Sequence, residues 1–518
     1  MNFASRMLAV NGIGKCFFST CLSRSLQQPG FLHDQRDVLL RKDLFYENIH
    51  AILKRQAERS VVVESVDFDV ESDGTDAYRA LSAYGKIKYF NIQEQVEPKS
   101  RYLVEFESRE SAERLLNQGA DGAIASRLID FQIDPAIRKK AHNTRSKRKK
   151  DGRKRNVVSS KMLKMLLNDQ NTIEDQVKIA TDHFAMSSDE IRSRYLFIQS
   201  LNDSLQRTLD MNFALKPFGS SFTGAGLTGS DMDVLILSDH LISAMQRSRR
   251  RHGMLEKTSY HDIYPPEECV SVLKNVRDVI RTQLNISDTE LISEARVPVL
   301  KFQYPLLNLN VDIVANHLNG YNYLNVINWY IRYDERVGPL LVLVRKWAEA
   351  RSLIDHGINY FGFTPFMFQI SVLVYLARVG VIPSGFEIGS THQDTFRIYK
   401  SPEKFRTRSS VNNSDSVSQL LLGYFQYFGT YGFTGRKLCL AHGNANARRS
   451  ANSKFYMRSP FDESGNIAEN CREEELKTLT LAMKKTARFL NLRYHKREKR
   501  DWGLSLVIFC NDGSDAKS

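Results

Sequence analysis

The chain has 518 residues, of which 42% are hydrophobic, and it carries a formal net charge of +14. This composition excludes global disorder and allows about two to four domains. The lack of CxxC pairs argues against a disulfide framework and a cysteine zinc site. The lack of apolar runs of roughly 18 residues argues against a membrane span. The positive charge favours a polyanionic partner, although a merely basic surface would give the same sum.

The amino-terminal segment is basic and contains no acids. Residues 1–30 include Arg6, Lys15 and Arg24 together with several serines, and they lack Asp and Glu. Such a composition is typical of an organelle transit peptide. We therefore predict a mitochondrial presequence over 1–30 and a location in the matrix, with an ordinary terminal segment as the alternative.

Residues 55–135 alternate between strand-like and helix-like patterns in the order βαββαβ. This order resembles the RNA-recognition-motif fold, an α+β module. The positions where that fold carries base-stacking aromatics hold Val62, Arg101 and Leu103, whose side chains have no π face. We therefore predict a scaffolding or dimerising module, and a homodimer, in preference to sequence-specific RNA binding.

A basic run follows this module. The stretch from Arg138 to Arg155 contains eleven Lys or Arg and a single acid, Asp151. We predict a linker over 136–156. Its charge is consistent both with a solvated spacer and with a nonspecific RNA tether.

The remainder of the chain divides by its periodicity. Helical patterns dominate 157–211 and 321–495, whereas 212–320 mixes strands with a glycine-rich loop. The predicted fold class is α/β plus α, with a small mixed sheet in 212–320, a helical central domain, and a carboxyl-terminal tail over 496–518.

The glycine-rich loop precedes an apolar strand that begins with two acids. The polar positions of this segment are Gly219, Ser220, Ser221, Asp231 and Asp233. Alternate residues of a strand share a face, so Asp231 and Asp233 project together. Paired carboxylates suit Mg²⁺ with phosphate oxygens, and the loop offers amide and hydroxyl donors to an anion. An Asp-x-Asp pair alone is common in turns, but Gly-Ser followed by this pair on an apolar strand is more specific.

A second strand supplies a third acid. Residues 308–314 alternate polar and apolar side chains and place Asp312 on the polar face. Pairing this strand with the first would bring three carboxylates together, which is the arrangement that two-metal catalysis uses. An ordinary exposed strand acid is the alternative for Asp312.

These motifs resemble those of the poly(A) polymerases in the terminal nucleotidyltransferase family, part of the DNA-polymerase-β-like superfamily. The resemblance implies that Gly219, Ser220 and Ser221 bind the nucleotide. It also implies that Asp231, Asp233 and Asp312 are catalytic and hold two Mg²⁺ or Mn²⁺ ions.

The resemblance continues into the helical part. It implies that Arg345 contacts the triphosphate, that Phe366 stacks on the base after a helix start at Thr364, and that Asn322 or Tyr323 contacts the ribose. Residues 459–466 resemble the nucleotide-recognition loop of the family.

The function implied is that of a polynucleotide adenylyltransferase, an enzyme that adds AMP from ATP to the 3′ ends of single-stranded mitochondrial RNA by two-metal catalysis. Gly465 stands where uridylyltransferase relatives carry a base-selecting histidine, which favours ATP over UTP. Glu349 stands where some relatives place a second phosphate-binding lysine. A mitochondrial uridylyltransferase and a catalytically silent RNA-binding scaffold are the alternatives, and the arginine-rich templating motif of CCA-adding enzymes is not found in the sequence.

Overall fold

The computed structural model describes residues 46–65, 75–96, 99–118, 123–126, 160–209, 213–238, 266–295, 297–316, 318–354, 362–385, 402–406, 413–433, 435–441, 444–448, 455–459, 465–493 and 502–509. The predicted presequence and basic linker lie outside these residues. Within them, no helix has the length and apolarity that a bilayer crossing requires.

The first unit is a four-stranded antiparallel sheet with three helices. Its elements are α1 (Tyr46–Glu58), β1 (Ser60–Ser65), α2 (Thr75–Ser82), β2 (Ile87–Val96), β3 (Lys99–Phe106), α3 (Arg109–Gln118) and β4 (Ala123–Ser126). The strand order is β2-β3-β1-β4. One sheet face, with Val61, Tyr102 and Val104, packs on α2 and α3, while Val62 and Leu103 on the other face enter the core of the second unit. Membership of the RNA-recognition-motif class stays a prediction.

The second unit is built on a mixed five-stranded sheet. Its elements are α6 (Ser188–Thr208), β5 (Phe213–Phe218), β6 (Met232–Ser238), α7 (Pro266–Gln283), β7 (Thr289–Ile292), β8 (Val299–Tyr304) and β9 (Leu309–Ala315). The strand order is β5-β6-β9-β8-β7, in which β6 and β9 run parallel and the other pairs are antiparallel.

Strand β6 is an interior strand of this sheet. Its apolar run from Val234 to Leu237 is buried, as expected of a strand covered on both faces. The predicted mixed sheet is therefore confirmed. Helix α6 was grouped by its sequence with the helical domain, but its Ile191, Tyr195 and Leu201 pack in the core of this sheet.

The third unit is helical. Its elements are α4 (Ser160–Asn168), α5 (Ile173–Phe184), α8 (Leu318–Tyr333), α9 (Val337–Ala350), α10 (Pro365–Arg378), α11 (Pro402–Arg406), α12 (Val417–Tyr431), β10 (Arg436–Cys439), β11 (Asn444–Arg448), β12 (Tyr456–Met457), α13 (Glu473–Arg493) and α14 (Leu504–Phe509). Helix α8 joins the two cores, since Tyr321 and Leu324 pack with the sheet and Trp329 packs with the helices.

Two local features of the helical unit bear on the sequence predictions. Thr364 caps α10 by accepting a hydrogen bond from the backbone N–H of Met367, and Pro365 occupies the first turn, which confirms the predicted helix start. Helix α14 falls within the predicted tail, yet Leu504 and Val507 are buried in the helical core. The described part of the tail is therefore a core element.

Candidate active site

Three acidic residues lie on or next to the paired strands β6 and β9. The parallel register of these strands sets Asp233 opposite Asp312, and neighbouring strands lie only about 5 Å apart. Asp231 precedes Asp233 by two residues, is the exposed member of the group, and accepts a hydrogen bond from Nδ2 of Asn310 on β9 at 2.9 Å. The structure thus places Asp233 and Asp312 on paired strands, with Asp231 directly before the first of them.

Burial and mutual repulsion disfavour negative charge at this place. Burial, followed by the charges of Asp312 and Asp231, raises the pKa of Asp233 to about 7. Burial also raises the pKa of Asp312, although Lys301 opposite it on β8 forms an ion pair with its carboxylate and opposes the rise. The surrounding cations of the protein therefore do not fully compensate the acids, and an added cation would be stabilised here.

The donor set fits a hard divalent cation, since carboxylate oxygens are the ligands that Mg²⁺ and Mn²⁺ prefer. As the side chains are placed, however, no three Asp, Glu, His or Cys residues of the described ranges stand close enough to hold one ion. Asp231 is instead hydrogen-bonded to Asn310, and Asp312 forms an ion pair with Lys301. A cation at this place would compete with both contacts.

The glycine loop closes directly over Asp233. Gly219 has φ +76° and ψ −173°, a conformation that is essentially restricted to glycine. A Cβ atom at Gly219 would lie 1.9 Å from Oδ2 of Asp233. The loop can therefore approach the carboxylate only because this residue has no side chain.

Ser221 lies beneath the loop and acts on its backbone. Its side chain is 1% exposed, donates a hydrogen bond to the carbonyl oxygen of Asp231 at 2.9 Å, and accepts one from Nη1 of Arg194 at 2.9 Å. This geometry does not support the predicted direct contact of Ser221 with a nucleotide, because the hydroxyl is used within the protein. Arg194 was missed by the sequence analysis, and its only local signal is a cation directly before the apolar residues 195–198 of α6.

Arg345 reaches the loop from α9. Its Nη1 donates to Oγ of Ser220 at 3.2 Å, and its Nε donates to Oε1 of Glu349 at 3.1 Å. Glu349 also accepts a hydrogen bond from Nζ of Lys346 at 2.7 Å, so this acid holds two cations of one helix in place. A guanidinium beside a hydroxyl and a glycine loop is an arrangement suited to phosphate.

Two aromatic side chains meet beside the predicted recognition loop. The ring centroids of Tyr323 and Phe366 are 4.3 Å apart, and the hydroxyl group of Tyr323 hydrogen-bonds Oγ of Ser459 at 2.7 Å. Residues 460–464 and the side chain of Asn322 lie outside the described part of the chain. Tyr323, one of the two ribose candidates, thus packs against the predicted base-stacking residue Phe366.

A mixed sheet with three acids, a glycine loop over them and a helical unit beside them is the arrangement that the sequence analysis expects of a nucleotidyltransferase palm. Comparison with known proteins agrees: residues 173–332 match the family model described as the central palm domain of mitochondrial-like poly(A) RNA polymerase. This match extends from α5 to α8 and includes all three acids.

Two curated relatives carry the same name, mitochondrial poly(A) RNA polymerase. The relative from Drosophila melanogaster is 24% identical over 468 residues, which span 85% of this chain and 75% of the relative. The relative from Homo sapiens is 24% identical over 365 residues, which span 68% of this chain and 62% of the relative. The chain thus matches less than two thirds of the human relative's length.

A solved structure of mtPAP in complex with UTP shares the fold, with a TM-score of 0.70, 18% identity and coverage of 90% of this chain and 99% of that chain. The predicted resemblance to mitochondrial poly(A) polymerases is confirmed. The relatives are named poly(A) RNA polymerases, which supports the prediction of an enzyme in this class.

Proposed function

We propose that this protein is a poly(A) polymerase of the mitochondrial matrix, which transfers AMP from ATP to the 3′ ends of single-stranded RNA. The observation that carries the proposal is the register of β6 and β9, which sets Asp233 beside Asp312 under the glycine loop. The basic, acid-free composition of 1–30 supports mitochondrial import, and the names of the relatives agree with it.

Asp231, Asp233 and Asp312 would hold two Mg²⁺ or Mn²⁺ ions, because they offer only oxygen ligands. When bound, such a pair of ions polarises the phosphate and activates the attacking hydroxyl. The protein's own contribution is to hold three carboxylates on neighbouring strands, with Lys301 paired to Asp312.

The nucleotide would lie between the glycine loop and the helical unit. Arg345 and the hydroxyl of Ser220, which are 3.2 Å apart, would bind the triphosphate. Phe366 would stack on adenine, with Asn322 or Tyr323 at the ribose. The RNA 3′-oxygen would attack the α-phosphorus in line, forming the new phosphodiester bond and releasing pyrophosphate. Gly465 stands where uridylyltransferases carry a base-selecting histidine, and the lack of that histidine favours ATP over UTP.

The RNA and the second subunit are further parts of this proposal. The net charge of +14 would attract single-stranded RNA, and the amino-terminal module would support a homodimer. Light scattering of the full-length chain tests the dimer, and a monomeric mass at micromolar concentration would rule it out.

Primer extension tests the activity. A short RNA is offered each NTP singly with Mg²⁺ or Mn²⁺, using the wild type, Asp231→Asn, and Asp288→Asn as a matched control with an exposed acid outside the site. We expect ATP-dependent extension that Asp231→Asn loses and Asp288→Asn keeps. Preferential use of UTP would identify a uridylyltransferase, and RNA binding without extension by any NTP would favour the silent scaffold.

A further inference from the structure

We infer that the amino-terminal sheet module positions residues 219–231, called here the catalytic loop, through α6. This assignment rests on the proposed function for its activity measurement. The module would then contribute to the rate of transfer without touching the substrates.

The sheet face that would stack bases in an RNA-recognition fold is covered by the catalytic unit. Val62 on β1 lies opposite Leu103 on β3, and both side chains share a core with Ile191 and Tyr195 of α6. Bases bind to such a face only where it is open and aromatic. The module is therefore packed as a part of the catalytic body, and its covered face contacts a helix in place of RNA.

A buried polar network joins the module to α6. Glu105 on β3 is 1% exposed and forms ion pairs with Arg192 of α6 and with Arg59, the latter at 2.8 Å. The guanidinium carbon of Arg192 lies 3.8 Å from the ring centroid of Tyr89, whose hydroxyl donates a hydrogen bond to Asp189. Removing one partner of a buried ion pair is strongly unfavourable, so these contacts fix the helix against the sheet.

The next residues of the same helix hold the catalytic loop. Oε1 of Glu190 accepts a hydrogen bond from the backbone N–H of Gly229 at 3.2 Å. Arg194 donates from Nη2 to the carbonyl oxygen of Ser230 at 2.6 Å and from Nη1 to that of Asp231 at 3.3 Å. Residues three or four apart share a helix face, so the pair 189 and 192 faces the module while the pair 190 and 194 faces the loop.

The two faces belong to one rigid helix of 21 residues. A rotation or shift of α6 away from the module would therefore move the backbone that carries Asp231. Misplacement of a reacting group by about 1 Å can cost about 10²-fold in rate even when the mutation is distant. The expected consequence of loosening the module is a slower chemical step with little change in ATP affinity.

Two arginine variants test this coupling. Arg192→Met and Arg59→Met each remove one cation from Glu105, but Arg192 belongs to α6 and Arg59 does not. In steady-state primer extension, we expect Arg192→Met to lower kcat about tenfold or more with KM for ATP changed less than about threefold. Arg59→Met should keep kcat within about threefold. Equal loss of kcat in both variants, or no loss in either, would overturn the inference.

Hydrogen exchange separates this result from a failure of the proposed function. Amides of residues 219–231 should exchange faster in Arg192→Met and at the wild-type rate in Arg59→Met, whether or not any NTP is used. Should Arg192→Met not fold, Tyr89→Phe is the second variant, because it removes only the hydroxyl that donates a hydrogen bond to Asp189. Its amides over 219–231 should also exchange faster than those of the wild type. Unchanged exchange in Tyr89→Phe and Arg192→Met would refute the coupling, whereas no extension by the wild type with any NTP would refute the poly(A) polymerase.

Discussion

Replacing Gly219 by alanine should lower the rate of transfer about 10²-fold while leaving the protein folded. The residue has φ +76° and ψ −173°, and its added Cβ would lie 1.9 Å from Oδ2 and 2.8 Å from Cγ of Asp233. Both the loop and the carboxylate would have to move, because real Cβ atoms do not approach other atoms so closely.

The structure sets the size of both effects. Holding alanine in this region of φ and ψ costs about 1–3 kcal/mol, which should appear as a loss of unfolding free energy. Restoring an ordinary contact requires Oδ2 of Asp233 to retreat by more than about 1 Å, and a displacement of that size at a reacting group lowers kcat by about 10²-fold.

Gly380→Ala is the matched control. Gly380 has φ +72°, and an added Cβ would meet nothing within 4 Å. It should therefore lose a similar free energy of unfolding, measured by chemical denaturation, while its rate of primer extension stays at the wild-type level. Wild-type kcat in Gly219→Ala, or an equal loss of rate in Gly380→Ala, would refute the argument that the contact with Asp233 sets the rate.

Three further predictions follow from the site and its supports. Asp233→Asn should stabilise the metal-free protein at alkaline pH. Folding raises the pKa of this acid from 3.8 to about 7, so the wild type loses unfolding free energy as the pH rises through that window, by about 1.4 kcal/mol per pKa unit. The variant has no carboxylate at this position and should not show this loss. Thermal unfolding in EDTA at about pH 5 and pH 8 checks this, and equal pH dependence of the two proteins would contradict it. Phe366→Ala should raise KM for ATP by about tenfold, since stacking on a base contributes about 1–3 kcal/mol, and steady-state kinetics with an unchanged KM would exclude that role. Truncation after residue 500 should sharply lower the unfolding temperature, because it removes Trp502, Leu504 and Val507 from the core. Burial of each such side chain contributes about 1.5–3 kcal/mol. A truncated chain with the unfolding temperature of the wild type would contradict this prediction.

The parts of the site that sequence predicts are those with a local signature. Asp231 and Asp233 are two residues apart on an apolar strand, so the period of the strand alone places them on one face. The start of α10 is equally local, because a threonine followed by a proline both caps and begins a helix. For such features the neighbouring residues contain all the information that is required.

The remaining parts depend on pairing between distant segments. Asp312 is opposite Asp233 because β6 and β9 run parallel in one register, and a slip of a single residue would turn its side chain to the other face. Lys301 could be assigned to Asp312 only once the pairing of β8 with β9 was known. Ser221 resembles Ser220 in sequence, yet the turn that starts at Gly219 directs its hydroxyl inward to Asp231 and Arg194.

The same reasoning explains why segments far from the acids in sequence support them. Helix α14 lies in the segment that the sequence indicates as a tail. The carbonyl oxygen of its Val507 accepts a hydrogen bond from Nη1 of Arg351, which lies at the end of α9, the helix that carries Arg345. Helix α6 joins the sheet of the amino-terminal module to the loop before Asp231. Contacts from both ends of the described chain thus reach the helix that carries Arg345 and the loop before Asp231. Substitutions in α6 or α14 should therefore change the rate of transfer even though neither helix supplies a carboxylate.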